Sequence, residues 1–420
     1  MLKKVHMIGI GGIGMSALAR YYKSHGWDVS GSDSGESDLI NDLRSEGINI
    51  KKYEDENNIS DDLDLVVYTI AIQETNLELV KAREMGIEVL TYPEALGKIS
   101  ENKKVIAVCG THGKTTTTAM TFFALREAGI DASMIVGSLI ENDGRRTNYV
   151  HGDSEWIIIE ACEYRRSFLN YNPNIIVVTN IDADHLDYYR DIEDVKSAFQ
   201  EFVNKLGGDG QLVIHQNEDY LSFKNKNIVD DIQISKSDLS VPGAHNRENA
   251  KLVLGLVNVL GLDMNKAKIG MRNFKGTWRR QEYKGKYFDM DCYDDYAHHP
   301  TEISATLEAI KEKVENKKKV IAIFMPHLYS RTKLLLDDFA RCFTDADEVI
   351  LLPIYAAREQ MDETITSDVL QEKILEKDEN KLVFSFGNMN DVAEYLKTKN
   401  NDYVVVTMGA GDIFKLYDLL

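Results

Sequence analysis

The chain has 420 residues, 43% of them hydrophobic and 28% charged, which is room for two or three domains with cores of their own and excludes a mostly disordered protein. A net charge of -19, with no local basic patch to override it, argues against nucleic-acid or anionic-membrane partners. Cys109, Cys162, Cys292 and Cys342 stand far apart with no CxxC pair, the usage of a reduced, cytoplasmic protein.

Short β-branched runs alternate with amphipathic stretches along the chain, which predicts an α/β protein of parallel sheets covered by helices. The start, MLKKVHMIGIGGIGMSALA, has a charged head and an apolar run, but its glycines suit a strand, a turn and a helix better than a secretory signal. No apolar run approaches the ~20 residues of a membrane span. Strands are expected at VHMI (5), LVVYTI (65), KVIAVC (104), WIIIE (156), IIVVTN (175), KVIAIF (319), EVILLPI (348), KLVFSF (381) and YVVVTM (403). Helical spacing marks 115–127, 248–260, 301–314, 333–343 and 391–397. The polar stretches 96–104 and 275–287 read as linkers, and 215–240 as an irregular excursion.

Gly9, Gly11 and Gly14, with Gly12 among them, fit G-x-G-x-x-G after a strand, and Asp33 follows at the end of a second strand, WDVSGSD. Glycines let the backbone approach a diphosphate, and the helix beyond supplies N–H groups and dipole. The motif leaves the nucleotide open.

KVIAVCGTHGKTTTT carries the sharpest signal. A strand runs into Gly110-Thr111-His112-Gly113-Lys114-Thr115-Thr116, then a helix. Such a loop cradles phosphates in its N–H groups, its lysine reaches the β and γ phosphates of ATP, and Thr115 can hold Mg2+. Val108 stands where the longer form of the motif has its first glycine. Glu160 ends a buried strand, and Asp182, Asp184, His185 and Asp187 follow another, at the sheet edge where parallel sheets bind ligands. Glu160 and His185 are therefore candidate Mg2+ ligands, the carboxylate the more natural one.

GIGGIGMSALA, CGTHGKTTTT, NIDADHLDYY, GAHNRENA, DDYAHHPTE, MPHLYSRT, PIYAARE and TMGAGDI occur in that order. As a set they resemble the Mur ligase family over the whole chain, with DDYAHHPTE and PHLYSRT most specific to its alanine-adding branch. The resemblance implies three domains: a Rossmann-like UDP-sugar-binding domain at 1–98, a central P-loop ATPase with a mostly parallel sheet at 99–279, and a C-terminal Rossmann-like amino-acid-binding domain at 280–420. It implies an enzyme that spends ATP, with Mg2+, to join L-alanine to the carboxylate of UDP-N-acetylmuramate through an acyl phosphate, in peptidoglycan precursor synthesis.

Carried over by motif, Lys114 binds the ATP phosphates, Thr115 and Glu160 one Mg2+ and His185 a second. His245 and Asn246 meet the adenine and ribose, and one of Arg279 or Arg280 the phosphates. Tyr296, His298, His327 and Arg331 shape the pocket where alanine meets the muramyl carboxylate. From the residues alone, two histidines and an arginine at strand ends suit carboxylate or phosphoryl oxygens, while His298 could instead cap the helix expected at 301. The chain departs from the family's E-A-D-E in reading Glu160-Ala161-Cys162-Glu163, followed by Tyr164-Arg165-Arg166. Gln200 stands where some relatives carry a carbamylated lysine, so no such modification is expected. The alternatives are a recycling ligase that attaches a preformed peptide to the same sugar nucleotide, a nicotinamide-dependent oxidoreductase and, through Cys162, a silent homologue.

Overall fold

The computed structural model describes residues 2–185, 188–357 and 359–420. They fall into two compact units, Met1–Ser240 with Glu248–Lys275, and Val241–Arg247 with Gly276–Leu420. Among the described residues the strands form three sheets.

The first unit opens with β1 (Lys4–Ile8), α1 (Ile13–Ser24), β2 (Asp28–Asp33), α2 (Asp38–Ser45), β3 (Asn49–Lys52), β4 (Leu65–Tyr68), α3 (Leu77–Glu84), β5 (Glu88–Thr91) and α4 (Tyr92–Ser100). The five-stranded sheet has the order β3-β2-β1-β4-β5, parallel throughout. From β1 the chain steps outward to β2 and β3, then crosses to β4. The loops after β1 and β4 thus part at a topological switch point, where open sheets of this kind bind ligands.

The second sheet follows, with β6 (Lys104–Cys109), α5 (Lys114–Glu127), β7 (Ser133–Asn142), β8 (Arg145–Val150), β9 (Trp156–Glu160), β10 (Ile175–Val178), α6 (Ile192–Val203), β11 (Gln211–Ile214), β12 (Lys226–Ile228), α7 (Ala244–Val259) and α8 (Met264–Asn273). Its order is β12-β11-β10-β6-β9-β7-β8, and the β7–β8 hairpin is antiparallel. β6 therefore lies between β9 and β10. Both faces of these three strands are covered, and they read as unbroken apolar runs for that reason. The hairpin also reaches the first sheet's α1. Asn148 on β8 accepts from Arg20 Nη1 at 2.5 Å and donates to Ile13 O at 2.6 Å and Ser16 Oγ at 2.8 Å, with Asn148, Arg20 and Ser16 all buried.

The second unit carries β13 (Glu282–Tyr287), β14 (Met290–Asp295), α9 (Pro300–Lys313), β15 (Lys319–Phe324), α10 (Tyr329–Leu334), α11 (Leu336–Phe339), β16 (Glu348–Leu351), α12 (Ser367–Lys377), β17 (Leu382–Ser385), α13 (Met389–Leu396) and β18 (Tyr403–Met408). Its sheet order is β13-β14-β18-β15-β16-β17, with only β13 antiparallel to its neighbour among the described strands.

Several expectations need correction. The stretch 96–104 is not a linker: α4 runs to Ser100, with Leu96, Ile99 and Ser100 buried, because its apolar side packs into the core. The stretch 275–287 ends in β13, whose polar residues sit on a half-exposed edge strand. The single helix expected at 333–343 is two short ones, α10 and α11, separated at Leu335. α7 begins at Ala244 rather than 248, which places His245 and Asn246 in its first turn. The stretch 215–240 is irregular as expected, with two 3-10 turns and the short edge strand β12. Among the described residues no helix is long and apolar enough to cross a membrane.

Candidate active site

The geometry of the second sheet brings its chemistry to one edge, because the C-terminal ends of β9, β6 and β10 lie side by side. β6 ends at Cys109, and at the next residue, Gly110, a φ of +137° and the spacing exclude any side chain: a Cβ there would stand 2.0 Å from Thr179 Oγ1. The loop that follows is clamped by the segment after β10. Thr111 N donates to Asn180 O at 2.9 Å and His112 N to Asn180 Oδ1 at 2.9 Å. Thr179 Oγ1 and Asn180 Nδ2 donate to His112 O at 2.5 and 3.0 Å. Asp182 N donates to Thr111 Oγ1 at 2.8 Å. With the amides of Thr111 and His112 engaged, a phosphate is left the first-turn amides of α5, which a helix leaves without intrahelical partners.

Lys114 Nζ donates to the carbonyls of Gly110 (2.5 Å) and Thr111 (2.9 Å) and to Glu163 Oε1 (3.0 Å). Burial works against its ammonium, but the adjacent Glu163 leads the charges that more than offset this, so its pKa stands above the ordinary lysine value. Thr115 Oγ1 donates to Glu160 Oε1 at 2.9 Å, and Gly137 N to Glu160 Oε2 at 2.6 Å. Gly137 lies where the β7–β8 register is irregular, between Ile135 and Ile140.

Glu163 is buried and joins two predicted site residues: Lys114, and His185, whose Nε2 lies 3.8 Å from Glu163 Oε1. His185 has a left-handed backbone (φ +55°) and packs its ring on Tyr164, centroids 4.7 Å apart. Glu163 Oε2 makes no hydrogen bond among the described residues, although Lys114 Nζ is 3.0 Å away. A hydroxyl and two carboxylates, one of them with an under-bonded buried oxygen, form a donor set that suits a hard divalent cation. Asp187 lies outside the described residues.

In the first sheet, Asp33 Oδ2 accepts from Gly11 N at 2.8 Å and Oδ1 from Gly35 N at 3.1 Å, so this acid holds the glycine loop. Each oxygen keeps a lone pair for a ribose hydroxyl. A Cβ on Gly9 would meet Thr69, one on Gly11 would meet Asp33 and Ile40, and one on Gly14 would meet the Tyr92 ring, all under 3 Å. Gly12, by contrast, has nothing nearer than 3.5 Å.

In the second unit, Arg279 is buried and committed: Nε to Asp294 Oδ2 (2.7 Å), Nη1 to Gly411 O (2.9 Å) and Nη2 to Gly409 O (2.6 Å). Arg280 lies over the Tyr296 ring and 3.4 Å from Glu302. Burial, then Arg280 and Arg247, push the His245 pKa down to about 4, so the ring is neutral at pH 7. Asn246 donates to Pro242 O at 2.5 Å. The helix cap at α9 is His299, whose Nδ1 accepts from Thr301 N, and not His298. His298 instead lies between Tyr296 (centroids 5.3 Å) and His327 (5.9 Å). Arg331 Nη1 donates to His327 Nδ1 at 3.3 Å, which fixes the tautomer protonated at Nε2. His327 stacks on Tyr355. All four predicted residues of this pocket thus cluster, and Tyr355 joins them.

Sequence reasoning missed the Thr179–Asn180 clamp, Gly137 and Tyr355, and named Glu163 only within a departure from the family's motif and, with Asp184, as a fallback metal ligand to Glu160. Asn249 was missed as well: it lies against Gly113, where a Cβ would stand 2.7 Å from its Oδ1. The repeat of asparagine in HNRENA was the signal available for it.

Three family models match the chain: "Mur ligase family, catalytic domain" over residues 4–104, "Mur ligase middle domain" over 108–237 and "Mur ligase, glutamate ligase domain" over 279–411. The UDP-N-acetylmuramate–L-alanine ligase of Caldicellulosiruptor saccharolyticus is 40% identical, covering 100% of this chain and 98% of the relative. That of Lachnospira eligens is 40% identical over 98% and 96%. Among solved structures, the UDP-N-acetylmuramate-alanine ligase of Thermotoga maritima superposes with a TM-score of 0.82 at 28% identity, over 99% of this chain and 97% of that one. The murein peptide ligase of Psychrobacter arcticus shares the fold, with a TM-score of 0.67 at 22% identity over 99% and 97%. The chain belongs to the Mur ligase family.

Proposed function

We propose that this protein joins L-alanine to the carboxylate of UDP-N-acetylmuramate at the expense of ATP, in the precursor pathway of peptidoglycan. The observation that carries the reading is the meeting of Lys114, the Thr115–Glu160 pair and the Glu163–His185 pair at one sheet edge. ATP and sugar nucleotides are made and used inside the cell, which places the reaction in the cytoplasm. The three domains take the residues near 1–98, 99–279 and 280–420.

A carboxylate is a poor electrophile, so the γ phosphoryl group passes to it first and the product is an acyl phosphate. Lys114 exchanges a loop carbonyl for a phosphate oxygen and stabilises the spreading charge; Glu163 keeps its ammonium charged and in place. Thr115 and Glu160 would hold one Mg2+ and His185 a second, which when bound neutralise phosphate charge. By the family's motifs His245 and Asn246 are assigned to the nucleoside of ATP, and Arg280 rather than Arg279 to the phosphates, because Arg279 is spent on internal bonds. In the amino-acid pocket, Arg331 and the Nε2–H of His327 hold the carboxylate of alanine, with Tyr296 and His298 beside them. The free amine then attacks the acyl carbon, and phosphate leaves. Gly12, at the one open position of the glycine loop, takes the diphosphate of the sugar nucleotide, with Gly9, Gly11 and Gly14 shaping the turn and Asp33 at the ribose.

Trapping tests the order of steps. With UDP-N-acetylmuramate, ATP, Mg2+ and hydroxylamine in place of alanine, the muramyl hydroxamate is expected. Its absence from a preparation that makes the alanine adduct would contradict an acyl phosphate.

A further inference from the structure

The double arginine after Glu163 has no part in the scheme above, and the structure separates its two members. Arg166 is tied to α6: its Nη1 meets Glu201 at 2.6 Å, its Nη2 meets Asp194 at 2.9 Å, and it lies over the Tyr189 ring. Arg165 is exposed, and among the described residues no carboxylate lies within ion-pair distance of it. Its guanidinium lies over the face of Tyr164, 5.5 Å from guanidinium carbon to ring centroid. Tyr164 in turn packs on His185.

Arg165 and Arg166 both adopt left-handed backbone, at φ +52° and +56°. Two such residues in succession, neither of them glycine, are strained, and strain of this kind gathers where a site needs a side chain aimed. Here the turn sends one arginine to the scaffold and leaves the other two residues from Glu163, beside the ring that supports His185.

We infer that Arg165 binds the lactyl carboxylate of the sugar nucleotide and presents it for phosphoryl transfer. This rests on the ligase reading. The cation suits the ligand: a planar guanidinium takes a carboxylate bidentately, and a cation resting on an aromatic face is held without being neutralised. Elsewhere in this edge the cation Lys114 is already matched by Glu163, so the incoming carboxylate needs a partner of its own.

The test is steady-state kinetics of the full-length protein. Arg165→Ala should raise KM for UDP-N-acetylmuramate about 10- to 100-fold, the range of a charge-assisted contact, and leave KM for ATP and L-alanine within twofold. Arg165→Lys should fall between, since it keeps the charge and loses the fork. The inhibition constant of UDP-N-acetylglucosamine, which lacks the lactyl group, should not change. An Arg165→Ala variant that melts like the wild type and keeps its KM for UDP-N-acetylmuramate within twofold overturns the inference, as does equal weakening of UDP-N-acetylglucosamine. Wild-type turnover with alanine in the same assay is the separate check on the ligase reading, and failure there would remove both.

Discussion

In the proposed phosphate loop, Lys114 is the residue that joins the loop carbonyls to Glu163. In Lys114→Ala, Glu163 loses the lysine that meets its carboxylate, and on the ligase reading the developing phosphoryl charge loses its ammonium partner. Removing one such donor costs several kcal/mol of barrier, so turnover should drop at least about a hundredfold. Phosphate release by the folded variant is the measurement, and retention of a tenth of wild-type turnover, a cost of only about 1.4 kcal/mol, would free Lys114 of this role. At this scale the sequence was half legible. Lys114, Thr115, Glu160 and His185 could be named because each sits at a fixed offset from a strand end. The Thr179–Asn180 clamp and Gly137 could not, because they act through backbone geometry that spacing does not report: Asn180 lies 68 positions from His112.

Among the elements, the first turn of α7 has a consequence for pH. Its His245 has a folded pKa near 4, below the ordinary value of 6.5, so the unfolded chain binds the extra proton first. The stability it contributes is present above pH 6.5 and is lost as the pH falls toward 4. Asp295 acts in the opposite sense: burial lifts its carboxyl to about 6 although Arg280 opposes the shift, so between its ordinary value of 3.8 and about 6 its contribution weakens as pH rises. His245→Gln removes the first effect and keeps the second. Urea unfolding of the full chain at pH 7 and pH 5 should show the wild type losing more stability on acidification than the variant. Equal losses would mean that His245 is not held neutral by its surroundings. The start of this helix escaped the sequence because GAHNRENA is polar where helical periodicity needs apolar residues; its first turn is recognised by structure, not by pattern. β13 escaped for the same reason, as an edge strand with polar residues on it.

Across the molecule, three sheets of similar build carry the motifs in turn. The first offers a glycine loop at a switch point, the second a phosphate loop with its acids, and the third a histidine–arginine pocket, which is the order in which the motifs stand along the chain. That order is what made the architecture legible, since each βα unit announces itself locally. The limits of the units were not, because α4 continues through the expected linker and residues 241–247 count with the later sheet. The identity of the two groups joined is decided by phosphate release with UDP-N-acetylmuramate, ATP, Mg2+ and each amino acid in turn. Release that depends on L-alanine, with formation of the alanyl sugar nucleotide, is the result expected. Release that ignores alanine, or that answers only to a preformed peptide, would contradict it.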